Sequence, residues 1–408
     1  MLRILFLILP VFLAAEDLKS ILEESYKNNN LLRSKKYTLD AKAKEIESQK
    51  SSYFPTLDIG AFYENTTNTS LFQIADKYGA YAKAGINIYD GGATKANVEK
   101  LKNEHLSALY GESGLKKNIS LEIVQDFYEI KSLEGQIKAK DDAKASIQEQ
   151  LQRMKRFVEA RLSTSDEVDR LQASFDTVLY EIEAIKFEVQ SVKKRLALKI
   201  GREIERLDES HFRDEVSLEL EQADIIKSLM YTQEAILSSA RAIESIYYPT
   251  IRLQDTYTQY GYIDVEPSNP LKIDHQNVAT LSLNMRIFDY GAIKEAKEAL
   301  VLNSKSINEE LTYRTKEQTM YKDLSLLRLD SVKSKMKSAK SALVAATSAF
   351  KIINEKYNAS IVDYVVYLEA LSSKTNAQAL YERSLNDLEI AYATYYYYSG
   401  KKIEEFIK

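Results

Sequence analysis

Tyr53-Phe54-Pro55-Thr56-Leu57 opens a stretch that closes with Ile88-Tyr89-Asp90-Gly91-Gly92-Ala93. The same pattern returns at Tyr247-Tyr248-Pro249-Thr250-Ile251, closing with Ile287-Phe288-Asp289-Tyr290-Gly291-Ala292. The two prolines are offset by 194 residues and Gly91 and Gly291 by 200, because the second copy carries a longer loop. Inside each copy the apolar period is two. Leu57, Ile59, Ala61 and Tyr63 alternate with Thr56, Asp58, Gly60 and Phe62, and Ala80, Ala82, Ala84, Ile86 and Ile88 alternate with Tyr81, Lys83, Gly85, Asn87 and Tyr89. In the second copy Ile251, Leu253 and Tyr257 precede a return run of Ala279, Leu281, Leu283, Met285 and Ile287. Alternation over that length predicts strands, long enough for a tilted bilayer crossing. The polar loops Glu64–Thr69 and Asp264–Asn277 join them.

Outside these hairpins the period changes to that of a helix. Leu18, Ile21, Leu22 and Tyr26 repeat at three to four residues, Asn28-Asn29-Asn30 interrupts them, and a second helix runs toward Pro55, which stops it. No proline occurs between Pro55 and Pro249 or after Pro270. The run from Gly92 to Ala160 therefore reads as one helix of about 65 residues, ~100 Å at 1.5 Å per residue, which needs coiled-coil-like packing. Gly111, Gly114 and Gly135 are its expected weak points or kinks. Arg161 to Val168 reads as a turn and restart, with hydroxyl caps at Ser163–Asp166 and with Asp166 and Glu167 in the first turn. A second long helix spans Ala292–Glu355, with a turn at Tyr357-Asn358-Ala359-Ser360. Leu171-Gln172-Ala173 and Leu368-Glu369-Ala370 supply a third anchor, offset by 197. The chain is a tandem duplication.

Composition limits the function. Net charge is −4 with both signs interspersed, so no basic stripe suggests nucleic acid. There is no Cys, which excludes disulfides, thiolate metal sites and a Cys nucleophile, and the three His are far apart in sequence. No cofactor, metal or catalytic constellation is expected. His105 and His211 read as structural, and Tyr395-Tyr396-Tyr397-Tyr398 as inter-helix packing. Met1-Leu2-Arg3, an apolar run to Leu13 and Ala14-Ala15 describe a cleaved signal peptide, so export is expected. Four bilayer-length strands cannot close a barrel, and open edges are costly in lipid, so strands pooled between chains are implied.

With its opening Leu18-x-x-Ile21-Leu22-x-x-Ser25-Tyr26-x-Asn28-Asn29-Asn30, its paired hairpins, Tyr89-Asp90-Gly91-Gly92 with Phe288-Asp289-Tyr290-Gly291, and Tyr357-x-x-Ser360 before Leu368-Glu369-Ala370, the chain resembles the TolC-like outer-membrane efflux proteins. The resemblance implies a mainly α fold with a β-barrel portion, assembled as a homotrimer with a 12-stranded barrel and an α-helical tunnel. It implies residence in the outer membrane of a Gram-negative bacterium, with a large periplasmic portion in contact with outer-membrane lipid. It also implies a periplasmic adaptor and an inner-membrane pump as partners, for multidrug efflux or type I secretion, with no enzymatic activity.

On this reading residues 1–15 are the signal peptide, 16–54 N-terminal helices, 55–91 and 249–290 barrel hairpins, and 92–201 and 291–400 long helical hairpins. Residues 202–222 form an equatorial connector, 223–248 a helix and 401–408 a tail. The resemblance places Glu369, Asp363 and Tyr357 at the periplasmic aperture, with Val366 where a second acid is frequent in the family. It places Arg161, Ser163, Thr164, Asp166, Asn358 and Ser360 at an adaptor-docking tip. The plainer readings are a solvated Glu369 and ordinary packing for Tyr357. Tyr63, Tyr78, Tyr89, Tyr257, Tyr260 and Tyr290 are expected in interfacial girdles. The alternative function is a periplasmic coiled-coil adaptor or scaffold without a pore.

Overall fold

The computed structural model describes residues 16–67, 74, 76–162, 164–217, 219–263, 265 and 269–408. The expected signal peptide, Ser163, Leu218 and parts of the two hairpin loops lie outside the described residues. The elements follow the duplication. After α1 (Leu18–Asn28) and α2 (Asn30–Ser51) come β1 (Thr56–Asn65), β2 (Asp76–Asp90), α3 (Ala93–Glu159) and α4 (Ser165–Ile200). The second copy supplies α5 (Asp224–Glu244), β3 (Thr250–Tyr262), β4 (His275–Asn284), α6 (Ala292–Asn358) and α7 (Tyr364–Tyr398). The long helices of the two copies are both 67 residues, and their returns are 36 and 35. The fold is mainly α with a four-stranded β portion, and its elements repeat in tandem.

Each copy turns from strand to helix by the same device. Gly91, Gly92 and Gly291 hold positive φ, and so does Tyr290 (φ 56°). The side chain of Asp90 accepts the amides of Gly92 (3.0 Å) and Thr94 (2.7 Å). Asp289 accepts those of Gly291 (3.0 Å) and Ile293 (2.9 Å). A carboxylate thus caps the otherwise unpaired first amides of each long helix, where the helix dipole favours negative charge.

The chain divides into two compact units. One comprises Tyr37–Gly111 and Ile225–Tyr313 and holds the sheet. Its strands run antiparallel in the order β1-β2-β3-β4, so β1 and β4 are open edges. Direct pairs such as Leu57↔Ala84, Ala84↔Asp255 and Asp255↔Ala279 fix the faces. One face carries Leu57, Ile59, Ala61, Ala80, Ala82, Ile86, Leu253, Leu281 and Leu283, interrupted by Asp255 and, toward the loop end, by Gln259 and Asn277. The other carries Thr56, Asp58, Lys83, Arg252, Gln254, Thr256, Thr258, Thr280 and Ser282. Burial is inverted relative to a soluble sheet: Leu57 and Ile59 are 74% and 84% exposed, whereas Thr258 is buried. The pattern predicts β4 to Ile287, but the strand stops at Asn284, because β3 begins at Thr250 and offers no ladder partner beyond it. Within this unit α3 and α5 meet through Ser107, whose hydroxyl lies 3.0 Å from Ser228 and 2.8 Å from Thr232, and through stacked Tyr110 and Tyr231.

The other unit comprises Met1–Lys36, Glu112–Asp224 and Arg314–Lys408. Its larger core joins Leu18, Ile21 and Leu22 of α1 to Ile123, Phe127 and Ile130 of α3, Leu196 and Ile200 of α4, and Tyr395 and Tyr396 of α7. The charged stretch between α4 and α5 is pinned here. Phe212 bridges to Ile407, Leu207 to Glu16, and Arg202 forks onto Glu16 and Glu24. The tyrosine run near the end of α7 packs as expected and also reaches this connector. The Tyr395 and Tyr396 hydroxyls donate to the carbonyls of Ser217 and Arg213, and Tyr396 stacks on Phe406 at 3.9 Å. Burial pushes the Tyr396 hydroxyl up to about 12. His211 Nδ1 lies 2.9 Å from Glu389. The glycines of α3 do not break it. Gly135 instead lets Glu382 of α7 come close, a Cβ there falling 2.9 Å from that of Glu382. Among the described residues no helix is long and apolar enough to cross a membrane.

Candidate functional site

The two helical turns lie together in the second unit and end their helices alike. Leu162 N donates to Phe157 O (2.8 Å) and Arg161 N to Val158 O (3.0 Å). Ile361 N donates to Lys356 O (2.8 Å) and Ser360 N to Tyr357 O (3.0 Å). Arg161 and Ser360 occupy the left-handed position of this Schellman-type cap, with φ 57° and 61°, where glycine is usual.

The restarts differ. Thr164 sits at the cap position of α4 without capping it; its hydroxyl bonds to Asp166 instead. That bond holds the exposed Asp166 carboxyl below the ordinary aspartate range. At α7, Asp363 is the cap and accepts the amides of Val365 (3.0 Å) and Val366 (3.1 Å). Asp363, expected at the aperture, is thus engaged by the first amides of its own helix. Glu369 is exposed on α7 and makes no ion pair or side-chain hydrogen bond among the described residues.

Tyr357 is buried, stacks on Tyr367 with ring centroids 4.7 Å apart, and donates to Glu167 Oε1 at 2.8 Å. Burial and that carboxylate both push its hydroxyl above the usual phenol range. Beside it Arg153 reaches across from α3, donating to Asn358 Oδ1 (2.5 Å) and to the Asn358 carbonyl (2.6 Å). Gln150 donates to the same Oδ1 at 3.3 Å. Arg170 of α4 lies over the ring of Tyr364 at 5.6 Å, and the Tyr367 hydroxyl donates to Ser146 O of α3 at 3.3 Å. These polar contacts latch the second helical hairpin onto the first, over an apolar cluster of Ile147, Leu151, Met154, Leu171 and Leu371. A cleft of about 460 Å³ opens beside it, with the Lys140–Glu181 pair (2.7 Å) in its wall.

Tyr357 and Asn358 are thus brought together with Glu167, Arg153 and Gln150. Arg161, Asp166 and Ser360 lie at the turns, and Glu369 stands apart from the latch. The partners Arg153 and Gln150 were not singled out from sequence. Their spacing with Phe157 marks one helix face, the only local signal of a shared role. The arrangement contains no metal-binding cluster among the described residues, and it links the two helical hairpins through charge and hydrogen bonds.

Residues 21–202 match the model of the outer membrane efflux protein family. No curated protein matches the chain. Among solved structures the chain is similar to a membrane protein from Pseudomonas aeruginosa, at 14% identity and TM-score 0.81, over 95% of this chain and 91% of that one. It is similar to the outer membrane protein VceC from Vibrio cholerae at 14% identity and TM-score 0.80, over 95% and 96%. It is similar to the CmeC outer membrane channel of Campylobacter jejuni at 13% identity and TM-score 0.82, over 94% and 85%. At these identities the likeness to solved structures concerns the fold. Residues 21–202, somewhat under half of the chain, thus match the outer membrane efflux protein model, and over some 95% of its length the chain shares the fold of these solved outer-membrane proteins.

Proposed function

We propose that the protein is the outer-membrane channel of a tripartite export system, a passive duct gated at its periplasmic tip. The inverted sheet carries the reading. Exposed Leu57, Ile59, Leu281 and Leu283 suit lipid, and the opposite polar face suits a water-filled lumen. The unpaired edges of β1 and β4 would cost several kcal/mol per backbone group in lipid, so further copies must close them. Three copies of a four-stranded sheet make a twelve-stranded barrel. A pore-less adaptor would gain nothing from turning leucines outward.

At the tip, the Tyr357–Glu167 and Arg153–Asn358 contacts hold the closed state, and exposed Glu369, repeated three times, draws cations to the mouth. Arg161, Thr164, Asp166 and Ser360 lie on the surface offered to a periplasmic adaptor, which couples the duct to an inner-membrane pump. The test is fractionation followed by detergent purification and planar-bilayer recording. An outer-membrane trimer that conducts is expected, and a soluble monomer without conductance overturns the proposal.

A further inference from the structure

The register that places Tyr63, Tyr78 and Tyr257 on the apolar face places Tyr260 on the polar one, with Phe62, Tyr81 and Tyr262. Tyr260 is therefore no part of an outward girdle. Apart from Val278 and glycine, the polar face around these four rings is hydroxyl, amide or charge, so they form an aromatic patch toward the loop end of the sheet.

Two of the rings, Tyr81 and Phe62, lie against glycine backbone. A Cβ on Gly60 would fall 2.5 Å from the Tyr81 ring, and one on Gly79 would fall 3.0 Å from the Phe62 ring. These two rings thus lie over backbone that glycine leaves bare. Phe62 meets Tyr260 edge-on, with centroids 6.0 Å apart and planes at 76°. Tyr260 stacks on Tyr262 at 6.5 Å and 18°. The Tyr262 hydroxyl donates to Ile273 O at 2.8 Å and accepts from Ile273 N at 3.1 Å. A ring packed for stability alone gains from being covered. Here Phe62 and Tyr81 are fixed from beneath, Tyr260 and Tyr262 brace one another from the side, and all four stay only partly buried on the polar side of the sheet.

The geometry points to an aromatic collar inside the barrel, near its loop end, that stacks against planar aromatic cargo on its way out. Stacking is tolerant of sequence and substituents because every flat π system offers a face, and it favours planar over puckered molecules. This inference rests on the reading of the polar face as the lumen.

The experiment is single-channel recording in planar bilayers with 2-naphthol, against its saturated analogue decahydro-2-naphthol, which has the same ring framework but no π face. Current interruptions by 2-naphthol are expected to last several-fold longer than those by decahydro-2-naphthol. Tyr260→Leu and Phe62→Leu should each shorten the 2-naphthol interruptions about 2- to 10-fold at unchanged unit conductance, while Tyr260→Phe retains them. Equal lifetimes for the two compounds, or 2-naphthol lifetimes unmoved by both leucine variants, overturn the collar while leaving the channel intact. A purified protein that forms no conducting trimer overturns the channel reading and the collar with it.

Discussion

Tyr357→Phe isolates one hydroxyl. The phenylalanine ring keeps the stack on Tyr367 at 4.7 Å and fills the same buried volume, so the loss is the 2.8 Å bond to Glu167. A hydrogen bond to a charged group contributes about 1.5–3 kcal/mol, and solvent reaching the half-buried Glu167 lowers this to about 1–2 kcal/mol. If the bond exists only in the closed tip, the closed-to-open equilibrium moves by about 5- to 30-fold. Open probability in planar bilayers is the readout, taken as a cycle of Tyr357→Phe, Glu167→Ala and the double variant. A coupling energy above about 0.5 kcal/mol is expected; one under about 0.3 kcal/mol would mean that the two side chains do not act together on the gate.

Ser360→Gly removes left-handed strain at the turn (φ 61°) and should stabilise the protein by about 0.5–1 kcal/mol, read as a raised midpoint of thermal unfolding. Asp289→Ala leaves the Gly291 and Ile293 amides without their acceptor and should cost about 1 kcal/mol, seen as faster hydrogen exchange in the first turn of α6. Gly400 has φ 79° with the Glu221 carbonyl oxygen 2.2 Å from a built Cβ, so Gly400→Ala should destabilise by about 2 kcal/mol or more, measured by chemical denaturation. Glu369→Ala should alter cation selectivity or divalent-cation block in planar bilayers; unchanged reversal potential and block would remove Glu369 from the mouth.

Much of the architecture was legible because it rests on period. The switch from 2 to 3.6 at Pro55, Gly92, Pro249 and Gly291 marks where strand and helix exchange, and proline absence marks the long helices. What period cannot show is which neighbour a strand has. The alternation continues through Met285 and Ile287, yet β4 ends at Asn284 for want of a partner. Parity did contain the answer for the tyrosines, since Tyr257 and Tyr260, three residues apart in one regular strand, must face opposite ways. The site was less legible. Tyr357 stood out through family resemblance, but its acceptor is 190 residues away in the chain, and only the fold joins them. Resemblance places Asp363 at the aperture, and the sequence pattern does not show that it also caps α7 through two backbone amides.

The shared helix ends of the two copies have a consequence for how such a protein can move. Arg161 and Ser360 make the same backbone turn, but the residue that closes the turn differs: Val158 in the first copy, Tyr357 in the second. Duplication has kept the hinge and reassigned the bolt. On the proposed reading of a duct built from three chains, six posts of like construction would stand around it, and only every other one would carry a bolt. Unfastening it would release alternate posts while the remainder held the wall, so the opening would be a threefold dilation rather than a collapse of the ring.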